Sequence, residues 1–215
     1  MLPGIVSRMG GLDAGLRRVL HRLEFEAAAW QERPIRRVQA RNRLVRPWRG
    51  HRFHSFGRAS IVDRPLWVYG PQQIAIGAEV IVLRGCWLAV ESMAWGRPAP
   101  VLDIGDRVAM RPGCTISAAD SIVIEDDVGM GAYVTVIDSR HTWKAGHPNP
   151  MHNPIESAPV RVGRGSWLAD RATVAAGADI GEQCAIGPNT VVSGTVPDFS
   201  IVLGNPGRVV GSTRA

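Results

Sequence analysis

The sequence predicts an all-β solenoid of short strands, with a helical segment at the N-terminus and one long loop. Three observations carry this prediction: apolar residues recur every sixth position, the second place of each hexad is mostly small, and the fifth place is small or branched. A period of six fits neither the 3.6-residue turn of a helix nor the plain alternation of a half-buried strand. It is typical of short strands joined by tight turns and stacked as repeats.

The N-terminal segment, residues 1–56, lacks the hexads and carries most of the excess arginine. Its apolar residues fall on one helical stripe, which predicts an amphipathic basic helix that ends before Pro34. The stripe consists of Leu12, Leu16, Leu20, Leu23, Ala27 and Trp30. Two interpretations stay open: a cap over the open end of the solenoid, or peripheral docking on an anionic membrane surface. No nucleic acid partner is predicted, because no recognised motif accompanies the charge.

The hexads are clearest in the C-terminal half of the chain, and they also start at Ile76, Ile104 and Ile124. The first places there are Val162, Leu168, Val174, Ile180, Ile186 and Val192. We expect each of these side chains to point inward and three strands to close one triangular coil. The three cysteines, Cys86, Cys114 and Cys184, all occupy fifth places. They are therefore interpreted as small buried side chains, and with no CxxC spacing neither a disulfide nor a zinc site is predicted.

The repeat breaks at His141 and resumes at Val160. The stretch "TWKAGHPNPMHNPIESAP" between them is rich in Pro, His and Asn, and it predicts an extended loop near residues 139–159. Loops of this length on a rigid scaffold commonly carry function. His147 and His152 also lie in the loop, where we expect them to be exposed.

The C-terminal block, residues 165–210, runs from "GSWLADRATV" to "VPDFSIVLGNPGRVV". It resembles the hexapeptide-repeat acyltransferases, whose fold is the left-handed parallel β-helix. The most similar branch holds the galactoside and maltose O-acetyltransferases and the O-acetyltransferases of bacterial surface polysaccharides. The resemblance covers residues 57–210 and implies three parts: a basic helical segment over residues 1–56, a β-helix acyltransferase domain over 57–210, and a tail over 211–215.

The resemblance implies transfer of an acetyl group from acetyl-coenzyme A to a hydroxyl of a sugar, polysaccharide or glycolipid. It also implies a homotrimer with active sites between subunits. The catalytic histidine of the family lies at the mouth of the extended loop, which here is His141. A neutral imidazole can take the hydroxyl proton, and such help is typically worth about 10²–10⁴ in rate. Either Asp138 or a backbone carbonyl can hold the other ring nitrogen.

The resemblance also places donor and acceptor contacts. The predicted donor residues are Trp167, Asp170, Pro188, Ser193, Gly194 and Arg208. Three positions depart from the family pattern: Gly194 and Gly211 replace basic residues, and Pro188 has no amide hydrogen. On the acceptor side, Arg111 stands where the galactoside and maltose enzymes have an asparagine, and Asp120 lies beside the place of an aspartate. A pair between Arg111 and Asp120 would offset the cost of a carboxylate at a fifth place, and the changes suggest a different acceptor.

Other classes of function remain as alternatives. N-acetylation of an amino sugar or an antibiotic would use the same base, and a catalytically silent β-helix could act as a scaffold. A metal-dependent enzyme on this fold is disfavoured and no metal is predicted, because the histidines after residue 54 lie in one loop. No stretch reaches about 18 uninterrupted apolar residues, and no secretory signal is recognisable. We therefore expect a cytoplasmic location, or a peripheral one at the inner face of the membrane.

Overall fold

The computed structural model describes residues 50–143 and 147–214. The chain divides into two units, residues 1–45 and 46–215, and the described residues all belong to the second. The predicted helix over residues 12–30 lies outside the described residues. Within the described ranges, no helix has the length and apolar character that a membrane crossing requires.

The described residues form 23 short strands and four 3-10 helices. The 3-10 helices are Gly50–Arg52, Pro71–Gln73, Ser92–Ala94 and Pro150–His152. The strands are β1 (Ser55–Phe56), β2 (Ile61–Val62), β3 (Trp67–Tyr69), β4 (Ile74–Ile76), β5 (Ile81–Val82), β6 (Trp87–Val90), β7 (Leu102–Ile104), β8 (Ala109–Met110), β9 (Thr115–Ala118), β10 (Ile122–Ile124), β11 (Gly129–Met130), β12 (Thr135–Ile137), β13 (Ser139–His141), β14 (Ile155–Ser157), β15 (Val160–Val162), β16 (Trp167–Leu168), β17 (Thr173–Val174), β18 (Asp179–Ile180), β19 (Ala185–Ile186), β20 (Val191–Val192), β21 (Thr195–Val196), β22 (Ser200–Leu203) and β23 (Arg208–Ser212).

Apart from the hairpin β13–β14, which forms a small fourth sheet, and the last strand β23, these strands build three sheets in which every third strand along the chain belongs to the same sheet. The first sheet has the order β1-β4-β7-β10-β15-β18-β21, the second β2-β5-β8-β11-β16-β19-β22-β23, and the third β20-β17-β12-β9-β6-β3. Three successive strands therefore complete one coil, and each coil pairs with the next in parallel. The exceptions in the described residues are the antiparallel pairs β22–β23 and β13–β14. This triangular stack is the solenoid that the hexads predict.

The core is the ladder of side chains from the first place of each hexad. Ile104 pairs with Ile124, Ile124 with Val162, and Val162 with Ile180, and all four are 0% exposed. A fully buried side chain of this size stabilises the fold by about 1.5–3 kcal/mol relative to an exposed one. Each coil buries its neighbours, so stability accumulates along the stack.

The three cysteines are free and buried, as the hexads predict. The thiols of Cys86 and Cys114 both donate to the backbone oxygen of Arg111. Burial raises the pKa of the Cys184 thiol. These side chains fill the fifth places of their hexads.

Two excursions leave the stack at the edge between the third and first sheets. One spans residues 91–100, between β6 and β7, and the other spans residues 138–159, between β12 and β15. The second contains the hairpin β13–β14 and is the extended loop that the sequence predicts. In the coil between them, the connection at the same edge, from β9 to β10, consists only of residues 119–121. The two excursions therefore flank one short turn, about two strand spacings of 4.7–4.9 Å apart.

Candidate active site

His141 is the last residue of β13, and its side chain is half-buried at the start of the long excursion. Its Nδ1 lies 3.0 Å from the backbone oxygen of Asn153. A carbonyl oxygen can only accept a hydrogen bond, so Nδ1 carries a proton in this contact, and in the neutral ring the lone pair is then on Nε2. For the neutral ring, this contact selects the tautomer with the proton on Nδ1.

Asn153 joins the two ends of the loop. Its side-chain Nδ2 donates to the backbone oxygen of Thr142 at 2.9 Å, and the Thr142 amide donates to the oxygen of Pro154 at 2.9 Å. The 3-10 helix just before Asn153 is capped by Asn149, whose side chain accepts from the Met151 amide. The backbone oxygen that holds His141 is thus fixed by bonds across the base of the loop.

Asp138 lies at the point where the chain leaves the third sheet, and it is fully buried. Its Oδ1 accepts from the amide of Ala119 at 2.7 Å, and its Oδ2 accepts from the amides of Asp120 and Ser121 at 2.7 and 2.9 Å. Burial raises the pKa of this carboxyl, while the three amide donors act in the opposite direction. The carboxylate anchors the root of the loop to the turn of the preceding coil, and the observed partner of the His141 ring is the Asn153 carbonyl.

Asp120 pairs with Arg97 of the first excursion, and not with Arg111 as the sequence suggested. The two side chains are 18% and 49% exposed, so the pair lies at the surface of the turn between the excursions. Arg111 is exposed at a different edge, the one between the second and third sheets. The pairing fails because Arg111 and Asp120 lie on opposite ends of β9.

The first excursion supplies further polar groups beside this turn. Glu91 accepts from the Ser117 hydroxyl at 2.7 Å. The buried amide of Gln73 donates to the backbone oxygens of Trp95 and Arg97, at 3.3 Å each. Glu91, Ser117 and the Arg97–Asp120 pair therefore line the same edge as His141.

Sequence reasoning missed this excursion, although the spacing signalled it. Ile76 and Ile104 are paired residues of successive coils, and they are 28 positions apart, ten more than three hexads. It also missed Asn153, because its contribution is a backbone oxygen that any residue could offer. His147 and His152 are exposed loop residues whose rings lie 4.7 Å apart.

The predicted donor residues lie on the last coils. Trp167, on β16, is 46% exposed and packs over Gly129, where an added Cβ would come within 2.6 Å of the indole. Asp170 and Pro188 occupy the edge between the second and third sheets in consecutive coils, and the Asp170 side chain accepts from the Ala132 amide at 2.8 Å. Arg208 begins β23 and is exposed.

Ser193 and Gly194 lie elsewhere, at the edge between the third and first sheets. The chain thus brings Asp170 and Pro188 together but places Ser193 and Gly194 on the edge that also carries His141. Among the described residues no cluster of His, Cys, Asp or Glu could hold a metal ion.

The triangular coils and the long loop at one edge are those of a left-handed parallel β-helix, the fold that the hexapeptide-repeat acyltransferases share. Comparison with known proteins confirms this resemblance. A probable acetyltransferase of Mycobacterium tuberculosis is 32% identical over 170 residues, covering 78% of this chain and 56% of the relative. A protein of Escherichia coli, named provisionally as an O-acetyl transferase of lipopolysaccharide biosynthesis, is 29% identical over 54% of this chain and 62% of its own length. The match thus spans little more than half of each relative, and no model of a protein family matches the sequence.

Solved structures share the fold. The N-acyltransferase AntD from Bacillus cereus, in complex with dTDP and coenzyme A, superposes with a TM-score of 0.64 at 16% identity, over 79% of this chain and 88% of AntD. A hexapeptide-repeat acetyltransferase from Vibrio cholerae, in complex with acetyl-coenzyme A, gives a TM-score of 0.51 at 20% identity, over 82% and 78% of the two chains.

Proposed function

We propose that this protein transfers an acetyl group from acetyl-coenzyme A to a hydroxyl of a sugar, polysaccharide or glycolipid, with His141 as the general base. The contact between His141 Nδ1 and the Asn153 oxygen carries the proposal, because it leaves Nε2 free to accept a proton. Nε2 takes the hydroxyl proton as the oxygen attacks the thioester carbonyl. The carbon–sulfur bond breaks, and the imidazolium returns the proton to the departing thiolate.

The similar proteins support this reaction class. Both sequence relatives are named as acetyltransferases, and the Vibrio cholerae structure contains acetyl-coenzyme A. The name of the Escherichia coli relative refers to lipopolysaccharide, which fits a glycan acceptor.

Transfer to an amine is the second candidate, and the AntD fold supports it. AntD is an N-acyltransferase, and one of its structures contains an amino sugar attached to dTDP. The same base serves either nucleophile. Matched acceptors that differ only in a hydroxyl or an amine at one carbon separate the two activities.

We propose that the donor lies along the last coils, against Trp167, Asp170, Pro188, Ser193 and Gly194, with Arg208 on its phosphates. An exposed arginine suits this role, since charge-assisted hydrogen bonds to phosphate are short and strong. The missing basic residues at Gly194 and Gly211 predict weaker donor binding than an intact site would give. For the acceptor, Asp120 is proposed to act together with its partner Arg97, and Arg111 remains a candidate at the neighbouring edge.

A homotrimer is proposed as the active form. His141 and the pair Asp170 and Pro188 lie on different edges of the same coil stack, so one chain does not surround a substrate with both sets. A neighbouring chain packed against the C-terminal coils would bring the His141 edge of one chain beside Asp170 and Pro188 of the next, and would leave this edge of the first three coils uncovered.

The division into residues 1–56, 57–210 and 211–215 remains our proposal for the domain organisation. The paired strands of the β-helix extend slightly past these boundaries, since β1 is Ser55–Phe56 and β23 reaches Ser212. Peripheral contact between residues 1–56 and an anionic membrane from the cytoplasmic side is proposed with it, since these residues carry the densest run of arginine.

The first experiment is a calorimetric titration with acetyl-coenzyme A, repeated with dephospho-coenzyme A. We expect saturable binding near one donor per chain, and weaker binding of the dephospho form. No heat at millimolar donor would overturn the proposal and make a scaffold the better explanation.

The second experiment replaces His141 by Ala. We expect transfer to fall by about 10²–10⁴, followed as thiol release from acetyl-coenzyme A, with donor affinity unchanged. His147→Ala is the matched control, since His147 lies in the same loop and, among the described residues, its side chain contacts only Asn149 and the His152 ring. Equal losses in both variants would assign His141 a structural role.

A further inference from the structure

An arginine and a tryptophan recur together in the first two coils. The segments "RPLW" (64–67) and "RGCW" (84–87) occupy equivalent positions. The Gly85 amide donates to the Arg64 oxygen at 3.0 Å, and Trp67 pairs in register with Trp87 in the third sheet. The same two side chains are therefore presented twice, one strand spacing of about 5 Å apart.

The arginines continue along the edge into the third coil. In the third coil Trp87 pairs with Thr115, so Pro112 is the position equivalent to Arg84, and Arg111 stands one residue before it at the same edge. Arg64, Arg84 and Arg111 are all exposed. None of the three forms an ion pair with a carboxylate of residues 50–143 or 147–214. We call these three residues the arginine edge.

The tryptophans form a platform beside the arginine edge. Their ring centroids are 6.2 Å apart with an interplanar angle of 33°, and Trp67 and Trp87 are 53% and 38% exposed. Further along the same row of the sheet stand Thr115 and Thr135. The platform therefore leads along the third sheet to β12, the strand that ends next to Asp138 and the root of the His141 loop.

We propose that the arginine edge and the Trp67–Trp87 platform bind a linear anionic glycan. The charge pattern supports this occupant. Arg64 and Arg84 recur at the coil spacing, Arg111 follows in the next coil, and none of the three has a carboxylate partner among the described residues. Each guanidinium can bind a carboxylate through paired hydrogen bonds. Tryptophan faces offer the broad apolar area on which the C–H faces of sugar rings pack. The proposal rests on the proposed function for its purpose, since it would hold a polymeric acceptor across the third sheet, in reach of His141.

The test uses two matched polymers, an oligogalacturonate and its fully methyl-esterified form, which share the sugar ring but differ in charge. We expect the oligogalacturonate to change the intrinsic tryptophan fluorescence saturably and the ester to bind at least about tenfold more weakly. Binding should weaken as salt rises, because the contacts are exposed. Arg84→Gln should weaken it about fivefold.

The control variant is Arg164→Gln, which removes the same charge from an exposed arginine at the edge between the first and second sheets. It should bind as the unmodified protein does. Equal binding of both polymers, or equal losses in the two variants, would overturn the proposal. Arg84-dependent binding to phosphatidylglycerol vesicles that is tighter than binding to the oligogalacturonate would also overturn it, since it would assign the surface to a membrane. A loss of oligomer in Arg84→Gln, measured by sedimentation velocity, would overturn it as well, since it would assign the surface to a second copy of the chain.

Donor binding is measured on the same samples to separate this proposal from the proposed function. Saturable oligogalacturonate binding without any acetyl-coenzyme A binding would leave the glycan surface standing and remove the acyltransferase. Donor binding and transfer to small sugars without polymer binding would leave the acyltransferase standing and remove the glycan surface.

Discussion

At the scale of single residues, the Asp138 carboxylate is the main polar link between the His141 loop and the coil before it. Three backbone amides donate to its two oxygens. Asparagine offers one oxygen and two N–H donors, so Asp138→Asn leaves at least one buried amide without an acceptor. We expect the free energy of unfolding to fall by about 1–3 kcal/mol, measured by urea denaturation.

Asp127→Asn is the control for this change. Asp127 is an exposed carboxylate paired with Arg107, and losing such a pair typically costs less than about 1 kcal/mol. If both variants lose the same stability, the three amide contacts of Asp138 contribute nothing beyond an ordinary surface pair.

The residue scale also shows which part of the site the sequence could predict. His141 could be proposed from the sequence because it stands where the hexads break and because the family resemblance implies a base there. The Asn153 carbonyl was not, since the backbone oxygen that reaches the ring depends on how the loop folds back over twelve residues. Arg97 displaced Arg111 as the partner of Asp120 for a similar reason. The contact between Arg97 and Asp120 depends on the path of the excursion at residues 91–100, and the repeat pattern does not predict that path.

At the scale of elements, the core face and the outer face of one strand, β10, predict losses of stability of different size. Ile124 is 0% exposed within the ladder between Ile104 and Val162. Ile124→Ala should lower the free energy of unfolding by about 2–5 kcal/mol, because it removes packed groups and leaves a cavity. Val123, next to it, points outward, and Val123→Ala should cost less than about 1 kcal/mol.

Chemical denaturation of the two variants side by side decides this prediction. A cost at Val123 as large as that at Ile124 would mean that the outer face of the first sheet is also buried, for example against another chain. The strands themselves were predictable because every hexad repeats the same inward position. The excursion at residues 91–100 was not recognised, since a change in coil length appears in sequence only when the coils are already aligned.

At the scale of the whole molecule, the separation of His141 from Asp170 and Pro188 on different edges predicts that activity depends on assembly. We expect a mass of three chains by sedimentation equilibrium. Dilution below the dissociation constant of the trimer should then reduce transfer in proportion to the trimer lost, because each site would need two chains. A protein that keeps full specific activity as a monomer would contradict this prediction, and it would require the donor and the acceptor to meet on one edge.

Mixed trimers give the sharper form of the same prediction. His141→Ala chains and Asp170→Ala chains should each be nearly inactive alone, provided that Asp170→Ala has first been shown to weaken donor binding. When the two are unfolded together and refolded as mixtures, some interfaces combine an intact His141 edge with an intact donor edge from the neighbouring chain. Activity should therefore reappear in the mixture, measured as thiol release at a fixed total chain concentration. A mixture no more active than its parents would place both groups within a single chain.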